Sequence, residues 1–150
     1  MLNYNTLSLF EINQLSSEKK NTLYQKLEQI YSELDSDLKK IDNPCTGCGM
    51  CCNFEKAEHR LYICSLEFLY LEDKYSKIIT EADICPFLVN SQCSVRDRRM
   101  IGCRTYFRLH SEKDRQHAES LYEIYLKKLK KLYLEEKITW EYRDFMGYLK

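Results

Sequence analysis

Glycine and proline are scarce in this chain, with four Gly and two Pro among 150 residues. An all-β domain turns every few residues and draws on both types, so their scarcity argues for helices. Net charge is also missing. The 23 Lys and Arg balance the 23 Asp and Glu, which removes any global pull toward nucleic acid or acidic lipid. No apolar run approaches the roughly 20 residues that a membrane span requires. The N-terminal Met1-Leu-Asn-Tyr-Asn-Thr lacks a basic region followed by an apolar one, so it does not read as a secretory signal. The expected compartment is the cytoplasm, where thiols stay reduced. At this length, one domain over 1–150 is expected.

Cysteine, by contrast, is abundant. Of eight, four fall inside Cys45-Thr-Gly-Cys48-Gly-Met-Cys51-Cys52. Cys85-Pro-Phe-Leu, Cys93 and Cys103-Arg form a second block, and Cys64 lies between the two. In a reducing compartment such a cluster reads as metal-binding rather than as a disulfide framework. Adjacent Cys51 and Cys52 could pair only through a strained ring.

Helical periodicity flanks the cysteines. Ser8 and Glu11 have capping-box spacing, which predicts a short first helix. After Ser16-Ser17, Leu23, Leu27, Ile30, Leu34, Leu38 and Ile41 recur as one helix face. Asp42-Asn43-Pro44 is the expected stop. Ser65-Leu-Glu-Phe reads as a helix start, with Glu67 placed for the helix dipole. Thr80–Asp83 reads as a turn or a single helical turn, and Asn90-Ser91 as the turn of a small hairpin flanked by Leu88-Val89 and Ser94-Val95. Ser111 opens a second long helix, with Ala118, Leu121, Tyr125, Leu129 and Leu132 as its buried stripe. Thr139 is the expected cap of a last helix through Trp140, Phe145 and Leu149. The expected fold is mainly α, with flanking helices over 8–42 and 111–149 around an irregular, metal-bound, cysteine-rich centre at 44–107.

A Cys-x-x-Cys step lets two thiolates converge on one ion, and both Cys45–Cys48 and Cys48–Cys51 have it. Zinc takes four thiolates, and so do common iron–sulfur clusters. The spacing therefore fixes the ligand type and not the metal. Cys45, Cys48, Cys51, Cys52, Cys85, Cys93 and Cys103 are the candidate ligands. Cys64 sits in the apolar run Leu61-Tyr-Ile-Cys-Ser-Leu and reads as a buried core thiol. Two closed four-cysteine sites would instead require it. Arg96, Arg98, Arg99, Arg104 and Arg108 crowd the second block. Guanidinium groups offset thiolate charge and hydrogen-bond to sulfur, so Arg99 and Arg104 are expected beside the metal. An anion patch is the other use for such a cluster. His59, His110 and His117 lack ligand spacing to any cysteine. Lys127–Lys131 has Glu119, Glu123, Glu135 and Glu136 as neighbours, which argues for an exposed helix face and against nucleic acid as a partner.

The ordered set Cys45-x-x-Cys48-Gly-x-Cys51-Cys52, Cys85-Pro-Phe-Leu, Cys93 and Cys103-Arg-x-Tyr106 resembles the YkgJ-type family of CxxCxxCC proteins. That family is described as holding a zinc- or iron-chelating domain. The resemblance covers about residues 44 to 107 and departs from the family pattern at Arg96, Met100 and Phe107. Cys64 is not part of the pattern. Larger relatives include flagellin lysine N-methylases, for which an iron–sulfur centre is implied.

Two functions fit. One is a small metal-binding protein that chelates zinc or an iron–sulfur centre, with the metal ion, and a protein or small anion, as partners. The alternative is an iron–sulfur enzyme or accessory protein in redox or methylase-like group transfer. The second needs an open coordination position and a base. Glu55, Glu58 and Asp97 are the candidates, and all three are ordinary surface types. No catalytic residue is assigned.

Overall fold

A computed structural model describes residues 7–41, 52–57, 60–75, 83–106 and 111–149. Its described part is mainly helical. The elements are α1 (Leu7–Asn13), α2 (Ser17–Leu38), α3 (Phe54–Ala57), β1 (Tyr62–Cys64), α4 (Ser65–Glu72), β2 (Leu88–Val89), β3 (Gln92–Cys93), a 3-10 turn (Arg96–Arg98), α5 (Ile101–Thr105), α6 (Glu112–Glu135), β4 (Tyr142–Asp144) and a terminal 3-10 turn (Phe145–Leu149). The expected stop at Asp42-Asn43-Pro44 lies outside the described residues, as do Thr80 to Ala82 of the expected turn.

The two long helices follow from their caps and stripes. Ser16 accepts a hydrogen bond from Lys19 N–H and starts α2. Ser111 accepts from Asp114 N–H and starts α6. Each satisfies a backbone donor that the first helical turn leaves unpaired. Leu23, Leu27 and Leu34 of α2 pack with Leu121, Leu129 and Leu132 of α6 in a first hydrophobic cluster. Burying one such leucine contributes about 1.5–3 kcal/mol. Tyr24 and Tyr31 share the buried face of α2, while Ile30 and Leu38 are only partly buried. Across the seam Tyr125 OH donates to Asp37, and Lys128 pairs with Glu33 at 2.9 Å.

A second cluster joins β1, α4, the β2–β3 hairpin and the terminal 3-10 turn through Ile63, Phe68, Leu71, Phe87, Met100 and Phe145. The hairpin turns at Asn90 and Ser91, both with positive φ (51° and 61°). Consecutive left-handed residues suit a two-residue hairpin turn. The return strand is Gln92–Cys93, pairing Leu88 with Cys93, and not the expected Ser94-Val95. A two-residue turn fixes that register, so the partner strand begins directly after Ser91.

Two further expectations fail. Residues after Thr139 form no α-helix: Tyr142–Asp144 pairs antiparallel with β1, setting Cys64 opposite Tyr142. That strand pairing uses the backbone groups that a helix would need. Nor do Ser8 and Glu11 form a capping box. Ser8 lies inside α1, buried, with its hydroxyl bonded to that of Ser65. Glu11 accepts from Thr139 N–H at 2.7 Å and Thr139 Oγ1 at 2.6 Å.

Candidate metal centre

The structure separates the described cysteines into two environments. Cys52, Cys85, Cys93 and Cys103 all belong to or pack against the second cluster. Cys64 is fully buried in the first, at 0% exposure. No disulfide joins any two of these five. Cys45, Cys48 and Cys51 lie outside the described residues, as do Glu58, His59, Arg108 and His110.

Backbone pairing connects the two cysteine blocks. Asn53 and Ile84 form an isolated antiparallel bridge. Flanking it, Phe54 N–H donates to Asp83 O at 2.9 Å and Cys85 N–H to Cys52 O at 2.8 Å. That register sets Cys52, the last cysteine of the first block, opposite Cys85, the first of the second. The chain then turns at once, with Leu88 N–H on Cys85 O at 3.1 Å, and the hairpin returns Cys93 opposite Leu88. Cys103 enters from α5.

What positions α5 is Glu67. Its carboxylate is 2% exposed. It accepts from Tyr31 OH at 2.8 Å, Ile101 N–H at 2.8 Å and Cys64 N–H at 3.3 Å. Ile101 is the first residue of α5, whose N-cap Met100 has no side-chain acceptor. Glu67 therefore caps α5 from another helix while bracing α2 and its own helix start. Burial pushes its carboxyl above the usual carboxylate range, and the bonds from Ile101 N–H and Tyr31 OH only partly offset this. Sequence reasoning placed Glu67 at the helix dipole and missed this role. The signal was one acid inside the apolar run Leu66-Glu67-Phe68-Leu69.

Cys64 touches the same network. Burial, and then the Glu67 charge, push its thiol well up. Metal ligation needs the thiolate, so this environment disfavours Cys64 as a ligand. Tyr133 OH accepts from Leu66 N–H at 2.7 Å and pairs with Ser65 Oγ at 2.7 Å, closing the network from α6.

Arg104 is 4% exposed. Its Nη1 donates to Asp35 at 2.6 Å, its Nε to Arg99 O at 2.6 Å and its Nη2 to Asp97 O at 3.2 Å. Its guanidinium lies over the Tyr31 ring, 4.3 Å from the centroid. Arg98 donates to Tyr70 O at 2.6 Å and covers that ring. These two arginines thus bind scaffold oxygens and aromatic faces. Arg99 differs: its Nη1 is buried without a hydrogen-bond partner among the described residues. Partial burial works against the charge of Asp97, yet hydrogen bonds from Lys74 and Tyr75 hold its carboxyl below the usual range.

Among the described residues no three His, Cys, Asp or Glu side chains are grouped to hold a metal ion. The described thiols fit the soft-metal chemistry of zinc or iron–sulfur in type. No helix among the described residues is long and apolar enough to cross a membrane. Compared with models of known families, with curated proteins and with solved structures, the chain matches none.

Proposed function

We propose that this chain is a small metal-binding protein that chelates zinc or an iron–sulfur centre through Cys45, Cys48, Cys51, Cys52, Cys85, Cys93 and Cys103. The observation that carries the reading is the backbone register of Cys52 against Cys85, which joins the CxxCxxCC block to the second block. Opposite residues of an antiparallel pair have Cβ atoms about 4.5–5.5 Å apart, so one thiol from each block starts close to the other. Segregation of Cys64 into the other cluster adds support, because it leaves the seven spaced cysteines as the set. The partnerless Nη1 of Arg99 is a donor that a metal-bound sulfur would satisfy.

Elemental analysis of anaerobically purified, reduced protein tests the proposal. Zinc, or iron with acid-labile sulfide, should be bound at one or more ions per chain, and an absorption spectrum separates the two. A content of zinc, iron or copper below about half an ion per chain, against the one-ion minimum of a thiolate site, would sink it.

A further inference from the structure

On the side of α5 lined by Gly102 and Thr105, a groove of about 580 Å³ runs between β1, β4 and α6. That volume is within the range of small-molecule sites, about 300–1,000 Å³. Close approach makes it. A Cβ on Gly102 would stand 2.5 Å from Leu61 Cδ1 and 3.7 Å from Tyr62 O, so glycine leaves room there for the Leu61 side chain. The walls are aromatic, formed by Tyr62, Tyr106, Tyr122 and Tyr142. Tyr62 is 47% exposed, and its ring centroid lies 5.7 Å from that of Tyr142.

Charge gives the groove a sign. Glu119 and Glu123 stand on its α6 wall, both exposed. Among the described residues neither has an ion-pair partner. Arg60 is the groove's cation, but it is committed elsewhere, to both oxygens of Asp83 at 2.7 Å and to Asp144 at 3.6 Å. The groove therefore brings tyrosine rings and two acidic side chains together, the chemistry that attracts a cation, although Arg115 also acts on the Glu119 charge. Four residues apart on one helix, the two side chains share a face with Cβ atoms about 5–6 Å apart, so their carboxylates can be reached by one short linear dication. The ammonium groups of a short aliphatic diamine have a similar spacing.

From this we infer that the groove binds a small linear diamine or polyamine, with its ammonium groups on Glu119 and Glu123 and its alkyl chain against the tyrosine rings. This site is separate from the cysteines: Gly102 faces the groove, while its neighbour Cys103 packs against the second cluster. The inference stands whether or not the cysteines hold metal.

The test is titration of the full chain, as purified, with 1,4-diaminobutane at constant ionic strength. Binding is read by calorimetry and by NMR of ring-labelled tyrosine. Saturable binding is expected, with shifts at Tyr62, Tyr122 and Tyr142. 1,4-Butanediol should not bind. The Glu119→Gln/Glu123→Gln double variant changes two exposed side chains and should fold, yet bind at least about fivefold more weakly, as expected for lost contacts to a cation. Tyr62→Ala should also weaken binding. Absence of saturable binding, unchanged affinity in the double variant, shifts confined to other tyrosines, or equal binding of the diol would each overturn the inference. So would a lysine peptide that outcompetes the diamine, since the occupant would then be a protein partner.

Discussion

Removing the Glu67 carboxylate should be among the most damaging single changes in this chain. In Glu67→Ala the Tyr31 hydroxyl and the Ile101 and Cys64 N–H groups all lose their acceptor. All three residues are at most 3% exposed, so water does not replace it. An orphaned buried polar group costs about 1–3 kcal/mol. Three would give more, but burial of the carboxylate is itself unfavourable, and that cost disappears with it. The expected net loss is about 3–5 kcal/mol, the range for breaking a buried charged network. Glu67→Gln keeps one acceptor oxygen but turns an NH₂ toward donors, and should cost about 1–3 kcal/mol. Denaturant unfolding measures both. A loss under about 1 kcal/mol for the alanine variant would refute the reasoning, because ordinary surface changes stay within about 0.5 kcal/mol.

The pH dependence carries an independent sign. Burial raises the folded-state pKa of Glu67 above the ordinary 4.5. Between those values the folded state keeps a proton that the unfolded state has released. Stability then falls as pH rises from 4.5 through the folded-state pKa, and is flat below and above. The stability of wild type relative to Glu67→Gln, which cannot titrate there, should decline over that window. A flat or rising difference would mean that the three donors fully stabilise the carboxylate.

Arg104→Ala should cost about 2–4 kcal/mol, since it removes three charge-assisted hydrogen bonds, one of them to a carboxylate, and a ring contact. Asp35→Asn, which removes only the charge of one partner, should cost less, and chemical denaturation ranks the two. Gly102→Ala brings a Cβ against Leu61 Cδ1, which must shift, and should cost about 1 kcal/mol or less once the helix preference of alanine over glycine is counted. Combined with Leu61→Ala, the two losses should fall short of their sum, and strict additivity would contradict the close approach. Cys64→Ala should cost about 1–2 kcal/mol as a core defect and leave metal content unchanged. Loss of about one ion per chain would make Cys64 a ligand of a second tetrahedral site.

The elements that could be read from the sequence are those whose cause is local. Ser16 and Ser111 cap the long helices because a short polar side chain reaches its own N3 amide, and the Leu23–Leu34 and Leu121–Leu132 stripes follow from the helical period. The turn at Asn90-Ser91 was legible for the same reason, since Asn tolerates positive φ. What was not legible depends on distant chain. Tyr142–Asp144 is a strand because Tyr62–Cys64 lies beside it, and nothing within residues 139–149 encodes that partner. Ser8 has a capping-box neighbour in Glu11, yet Ser65 and Thr139 claim the two side chains. Arginine density near Cys103 suggested charge compensation for thiolates. It did not reveal that Asp35, on a helix far away in sequence, pairs with Arg104.

Helix α5 ties these observations together. It has five residues, too few to be stable alone, so its placement comes from outside. Successive residues on a helix point about 100° apart, and three in a row here serve three neighbours. Gly102 lies against β1 and the tyrosine groove, Cys103 against the second cluster, and Arg104 against α2. Glu67 holds the start of this helix through Ile101 N–H. A shift of α5 would therefore move Cys103 without touching any cysteine. On the proposed metal reading, Glu67→Gln should loosen metal retention while Cys64→Ala does not, although both change the same buried network. Competition with a chelator at a pH where both variants remain folded measures this. Equal retention in the two variants would show that the hold of Glu67 on α5 does not reach the metal centre.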